Sequence, residues 1–204
     1  MTTGDVWISR FFTESRYVRG GRVDWDAPGW HNIKERRLPP EETLPLPMYA
    51  NEKGETYKNL PPAFEAGGGL NICASLADIF RRFDLGTGAV VPIQLYQFDR
   101  TTPVDANYFL VTVVDRKETF IPNESRDVLT GRYGPTPTAN LSLPLQAKDG
   151  DIAVSSRACA GPDLWFDPTL RNALFMSDAL ATAIKESDFA SIFNFVKCRV
   201  ISLH

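Results

Sequence analysis

The amino-acid sequence predicts an α+β fold, a mixed or mainly antiparallel sheet packed by two principal helices, with a long proline-rich segment on the surface. Three observations carry that prediction. Helical spacing of apolar residues occurs twice, at Leu76, Ile79, Phe80 and Phe83 and again at Leu180, Ala183 and Ile184. Runs rich in β-branched and aromatic residues fill positions 89–98, 108–115 and 193–203. Between them, residues 38–69 carry Leu-Pro-Pro, Leu-Pro-Leu-Pro and Leu-Pro-Pro. Proline removes a backbone donor and biases the residue before it toward extended geometry.

Taken in order, the first thirty residues read as strands. Residues 15–26 centre on Gly20-Gly21, a pair that accepts the positive φ angles of a two-residue hairpin turn. Such a turn would set Val18 opposite Val23 and Arg16 opposite Asp24. The proline-rich segment follows as an irregular wrap, with one helical turn near Ala63. Gly67-Gly68-Gly69 ends it as a hinge into the first helix, which should stop at Gly86 and Gly88. Residues 130–150, with Thr-Gly-Arg-Tyr-Gly-Pro-Thr-Pro-Thr, read as a second loop, and 152–154 as a short strand. Ser177 is a good cap for the second helix. A strand over 193–203 would then tie down the end.

The chain has 204 residues and 43% hydrophobic residues, enough for one domain with a substantial core. The expected division is an N-terminal hairpin region over 1–37, the wrap over 38–69 and an α+β core over 70–204. A formal charge of -3 argues against general nucleic-acid binding, although it leaves room for a local basic patch. It favours a basic partner. Asp5 and Arg10 interrupt the start of the sequence before an apolar signal region can build, and no membrane-spanning run exists. The three widely separated cysteines read as reduced thiols. A cytoplasmic location is expected.

The search for chemistry is mostly negative. The two histidines are His31, in an expected loop, and the terminal His204, neither a well-positioned base. No spacing of zinc ligands is present, and the triple glycine lacks the Lys-Ser/Thr of a phosphate loop. No cofactor is expected. Arg157 near Cys159 would lower a thiol pKa, but without a base partner the cysteine reads as a small hydrophobe. Asp163 and Asp167 flank Trp165. They are either a carboxylate pair for acid–base work or a solvated turn leading to Pro168. Trp25 and Trp30 lie among Asp24, Asp26, Pro28 and Gly29, where exposure would suit a protein interface and burial would cap the core.

The run Asp163-Leu164-Trp165-Phe166-Asp167, then residues 174–180 (Leu-Phe-Met-Ser-Asp-Ala-Leu), Ile184 and Phe195-Val196, resembles bacterial immunity protein family eleven, formerly a domain of unknown function. The earlier helix, glycine turn and Val-Val-Pro-Ile over 76–93 are similar to that family's central helix and strand. The resemblance covers roughly residues 70–200. It implies a protein that binds and neutralises a cognate toxin inside the producing cell. It also implies that Trp165, Ser177 and Leu180 maintain the fold. The expected partner surface combines Trp25, Trp30, Asp163, Trp165 and Asp167, with homodimerisation compatible. A small enzyme built on Asp163 and Asp167, and a self-associating protein, stand as alternatives.

Overall fold

The computed structural model describes residues 4–53, 57, 59–130 and 141–202. The fold is α+β, with four helices among mixed and antiparallel sheets in the described residues. The chain divides into two compact units. One comprises Met1–Glu14, Phe83–Gly86 and Asp115–His204, and the other Ser15–Arg82 and Thr87–Val114.

The unit formed by Ser15–Arg82 and Thr87–Val114 holds a six-stranded sheet. Its strands run in the order Gly21–Arg22, Leu46–Ala50, Ala89–Tyr96, Tyr108–Thr112, Gly69–Cys73, Ala63–Ala66. Leu46–Ala50 and Ala89–Tyr96 pair in parallel, and the other neighbours are antiparallel. The segment before Arg22 ties the two edges together. Val18 bridges to Glu65 on one edge, and the Arg19 amide donates to the Glu65 carbonyl. Three residues on, Gly21 pairs with Ala50 on the other. The sheet therefore leaves little free edge, as in a small barrel. Met48, Phe64, Ile93, Leu95 and Leu110 fill its interior, and Trp30 packs against them from helix Pro28–Lys34.

This arrangement corrects the expected Gly20-Gly21 hairpin. Neither glycine is at positive φ, and residues 15–17 form a 3₁₀ turn. They are glycines because the backbone is crowded there. A Cβ on Gly20 would overlap the Asn51 side chain, and one on Gly21 would lie 2.7 Å from the Ala66 Cβ. The two-residue hairpin turn is instead Gly67-Gly68, with φ of 59° and 74°, closing Ala63–Ala66 onto Gly69–Cys73. Ala63 thus begins a strand and not a helical turn.

The proline-rich segment lies on the surface only in part. Leu38, Glu41, Glu42 and Pro45 are exposed, while Leu46, Met48 and Ala50 point into the core. Pro47 is tolerated because the Gly21–Arg22 strand reaches only Tyr49 and Ala50 on that side. The Pro47 carbonyl accepts the Trp30 indole N–H at 2.7 Å. Helix Ala74–Phe80 buries Leu76, Ile79 and Phe80 as the spacing predicts, but it ends before Phe83, which is half-buried.

The other unit centres on a four-stranded antiparallel sheet ordered Leu164–Phe166, Leu174–Ser177, Val6–Ser9, Phe195–Lys197. Its core includes Val6, Ile8, Phe120, Val154, Trp165, Phe175 and Val196. Ser177 caps helix Asp178–Lys185 by accepting the Leu180 amide, as predicted, and Leu180 and Ile184 are buried. The terminal strand splits in two. Phe195–Lys197 joins this sheet, whereas Arg199–Ile201 pairs in parallel with Ala153–Ser155. Residues 131–140 of the loop expected over 130–150 lie outside the described residues, as does His204.

Candidate functional site

The five residues expected to share a partner surface have separate structural roles. Trp25 is 39% exposed in the turn before helix Pro28–Lys34, and its ring meets Trp30 edge-to-face at 5.8 Å. Trp30 itself is fully buried, so the expectation of exposure holds for Trp25 alone. Both flanking carboxylates are exposed. The Asp24 carboxylate accepts the Asp26 amide at 3.1 Å, which helps to fix the turn. A large indole is thereby held outward on a rigid base between two negative charges.

Trp165 and the two aspartates belong to the other unit. Trp165 is fully buried and stacks on Phe175 at 5.6 Å and 15°. It offers no surface to a partner. Asp167 is not part of a solvated turn: it is 3% exposed, and its carboxylate organises the chain around it. One oxygen accepts the amides of Thr119 and Phe120 at 2.7 and 2.8 Å, and the other accepts the Thr169 amide and hydroxyl at 2.9 and 2.6 Å. Four donors to one carboxylate replace the water it has lost.

Asp163 sits at the opposite end of the same short strand. Four residues of extended chain span about 13 Å, too far for two carboxylates to act on one bond. The acid–base pair read from the sequence is not formed. Asp163 instead lines a pocket of about 390 Å³ together with Asp5, Asp178, Val6, Ala158 and Ala179, and Cys159 lies at its wall. Burial raises the Cys159 thiol above its ordinary pKa, and the thiol donates to the Gly4 carbonyl. It is not poised as a nucleophile.

Sequence reasoning missed the basic residues behind this pocket. Lys117 lies 3.6 Å from the centre of the Trp165 ring and donates to the carbonyls of Ala160 and Pro162. Burial pushes its ammonium down to about 8, and Asp163 is the foremost charge pulling it back up. Lys197 pairs with Asp5 at 2.6 Å, and Lys185 lies over the Trp7 ring. None of these lysines lines the pocket. No local sequence pattern announces them, because each partner is distant in the chain.

His31 is exposed within helix Pro28–Lys34. Among the described residues no group of three or more His, Cys, Asp or Glu side chains is arranged to hold a metal ion, and no helix is long and apolar enough to cross a membrane. In comparisons with known proteins, no protein-family model matches the chain, and no curated protein matches it.

Proposed function

We propose that the protein is a non-catalytic binding module, an immunity protein of the kind its C-terminal sequence pattern resembles. It acts inside the producing cell by covering the working surface of a cognate bacterial toxin. The observation that carries this reading is Trp25, exposed between Asp24 and Asp26 and seated on the buried Trp30. A tryptophan held outward on a rigid base buries a large apolar area at little entropic cost, which is the profile of an interface hot spot. Two adjacent carboxylates and the overall charge of -3 suit a partner that is basic around its cleft.

The test is co-expression with the toxin encoded beside it, followed by affinity measurement on the purified pair. Trp25→Ala is expected to weaken binding by ~10-fold or more, with an unchanged far-ultraviolet spectrum. Neutralising Asp24 and Asp26 together should slow association and flatten its dependence on salt. A toxin equally lethal with and without this protein would sink the immunity reading. An unchanged affinity in Trp25→Ala would remove the surface assigned to it.

A further inference from the structure

We propose that the protein pairs with a second copy of itself through the outer face of the six-stranded sheet. Each copy sets its acidic Trp25 turn against the surface formed by Arg22, Tyr49, Tyr96 and Arg100 of the other. The contact is measured on this chain alone and stands or falls separately from the immunity reading. Its basic half follows from strand register. Arg22 pairs with Tyr49, and Tyr49 with Tyr96, so the three side chains share one face. It is the outer face, because Met48 and Leu95, the preceding residues on the two strands, point into the core. The Tyr49 and Tyr96 rings are half-buried and stack at 5.6 Å and 29°. The Arg100 guanidinium lies 5.4 Å from the centre of the Tyr49 ring. Arg22 and Arg100 are both exposed, and no ion pair among the described residues engages either.

A closed turn presents Arg100. The Gln97 amide donates to the Thr102 carbonyl at 2.9 Å, and the Arg100 amide donates to the Gln97 carbonyl at 3.0 Å. Arg100 has a φ of 64°, a left-handed conformation that a non-glycine residue keeps only where its surroundings fix it. The neighbouring Asp99 carboxylate folds back onto the same turn and accepts the amides of Thr101 and Thr102 and the Thr102 hydroxyl. The acidic half of the contact adjoins this surface. Asp24, Trp25 and Asp26 begin two residues after Arg22. Trp25 rests on Trp30, whose indole N–H is bound to the carbonyl of Pro47, two residues before Tyr49.

A twofold contact needs this arrangement. Two complementary patches side by side on one surface each meet their opposite when a second copy is turned through half a revolution. The carboxylates of Asp24 and Asp26 then face guanidinium groups, and Trp25 meets a tyrosine ring and the cation above it. Within one chain Asp24 partly offsets Arg22, and Asp99 partly offsets Arg100. The attraction is therefore moderate, and the dissociation constant is on the order of 10–100 μM. A toxin that takes Trp25 would separate the pair.

The experiment is sedimentation equilibrium of the full chain from micromolar to near-millimolar concentration. The average mass should rise toward twice that of one chain, and added salt should lower it again. Arg22→Glu combined with Arg100→Glu makes both halves of the contact acidic, and it should weaken pairing ~10-fold or more. Asp26→Lys removes the acidic half while leaving Asp24 to hold its turn, and it should weaken pairing as well. An equimolar mixture of these two variants restores opposite charges across the contact and should pair more tightly than either alone. Trp25→Ala, which changes no charge, is the second probe if a charge variant loses the parent's far-ultraviolet spectrum. It should weaken pairing of the otherwise unchanged chain. A chain that stays monomeric throughout would overturn the proposal, even if a toxin still bound at Trp25. So would a dimer indifferent to all three variants, or a mixture that pairs no better than its components.

Discussion

Asp163 and Asp167 stand at the two ends of one three-residue strand and have opposite surroundings. Asp167 is buried and accepts four hydrogen bonds from Thr119, Phe120 and Thr169. Asp163 is half-buried, its carboxylate accepts a single amide, from Asp84, and the residue lines a pocket. The same residue type is structural in one place and available in the other. What separates them is the number of donors the fold brings to each. A carboxylate whose every acceptor is occupied cannot also take a ligand without losing what holds it.

The sharpest way to break that contrast is Asp167→Ala. It leaves the amides of Thr119 and Phe120 buried without an acceptor, and a loss of roughly 3–5 kcal/mol is expected, read as a fall in the urea midpoint at constant slope. A loss below 1 kcal/mol would mean that these amides find water or other partners. Asp163→Asn should cost about 0.5–1 kcal/mol in the same measurement, because only one bond loses its charge. If the two variants proved equally destabilising, the division of labour between the aspartates would be wrong.

Lys117 gives the smallest effect and a signed pH dependence. Its ammonium sits at about 8 in the folded chain against an ordinary 10.5. Between those values the unfolded chain binds the proton more tightly, so this group makes stability rise with pH from about 8 to 10.5 and contributes no such gain below 8. The side chain is only partly buried, and screening should keep the gain under about 1 kcal/mol. The comparison is the stability of the parent minus that of Lys117→Met at pH 7.5 and at pH 10. The Trp165 face favours the charged form and opposes this trend. A flat or falling difference would show that the aromatic contact outweighs burial.

What could be read from the sequence follows the range of the interactions. Ser177 and its helix were legible because the cap bond reaches three residues along the chain. So were the strands at 89–96 and 108–112, whose apolar runs are local. The two glycine pairs were not distinguishable. Gly67-Gly68 makes the hairpin turn, and Gly20-Gly21 passes close to Asn51 and Ala66, but in sequence each is a run of adjacent glycines that would suit a turn equally well. Leu46–Ala50 was hidden by Pro45 and Pro47. Its place in the sheet depends on where the neighbouring strand stops, which no local pattern encodes. The role of Asp167 was equally hidden, since Thr119 and Phe120 lie 48 and 47 residues away. Its pairing with Asp163 was a matter of spacing alone, and the strand between them carried the two apart.

The position of Val6–Ser9 between Leu174–Ser177 and Phe195–Lys197 has a consequence for how the protein is made. The Ser9 hydroxyl donates to the carbonyl of Phe193, 184 residues further along. At ribosomal speeds of about 5–20 residues per second, the first strand leaves the tunnel and then waits roughly 10–40 s for its neighbours. Residues 15–114 emerge within that interval, and the contacts of the barrel-like sheet lie among them. Translation therefore delivers this chain in an order that completes the inner segment before the outer one. Val6 and Ile8, both fully buried in the finished fold, stay uncovered until Leu174–Ser177 and Phe195–Lys197 have been made.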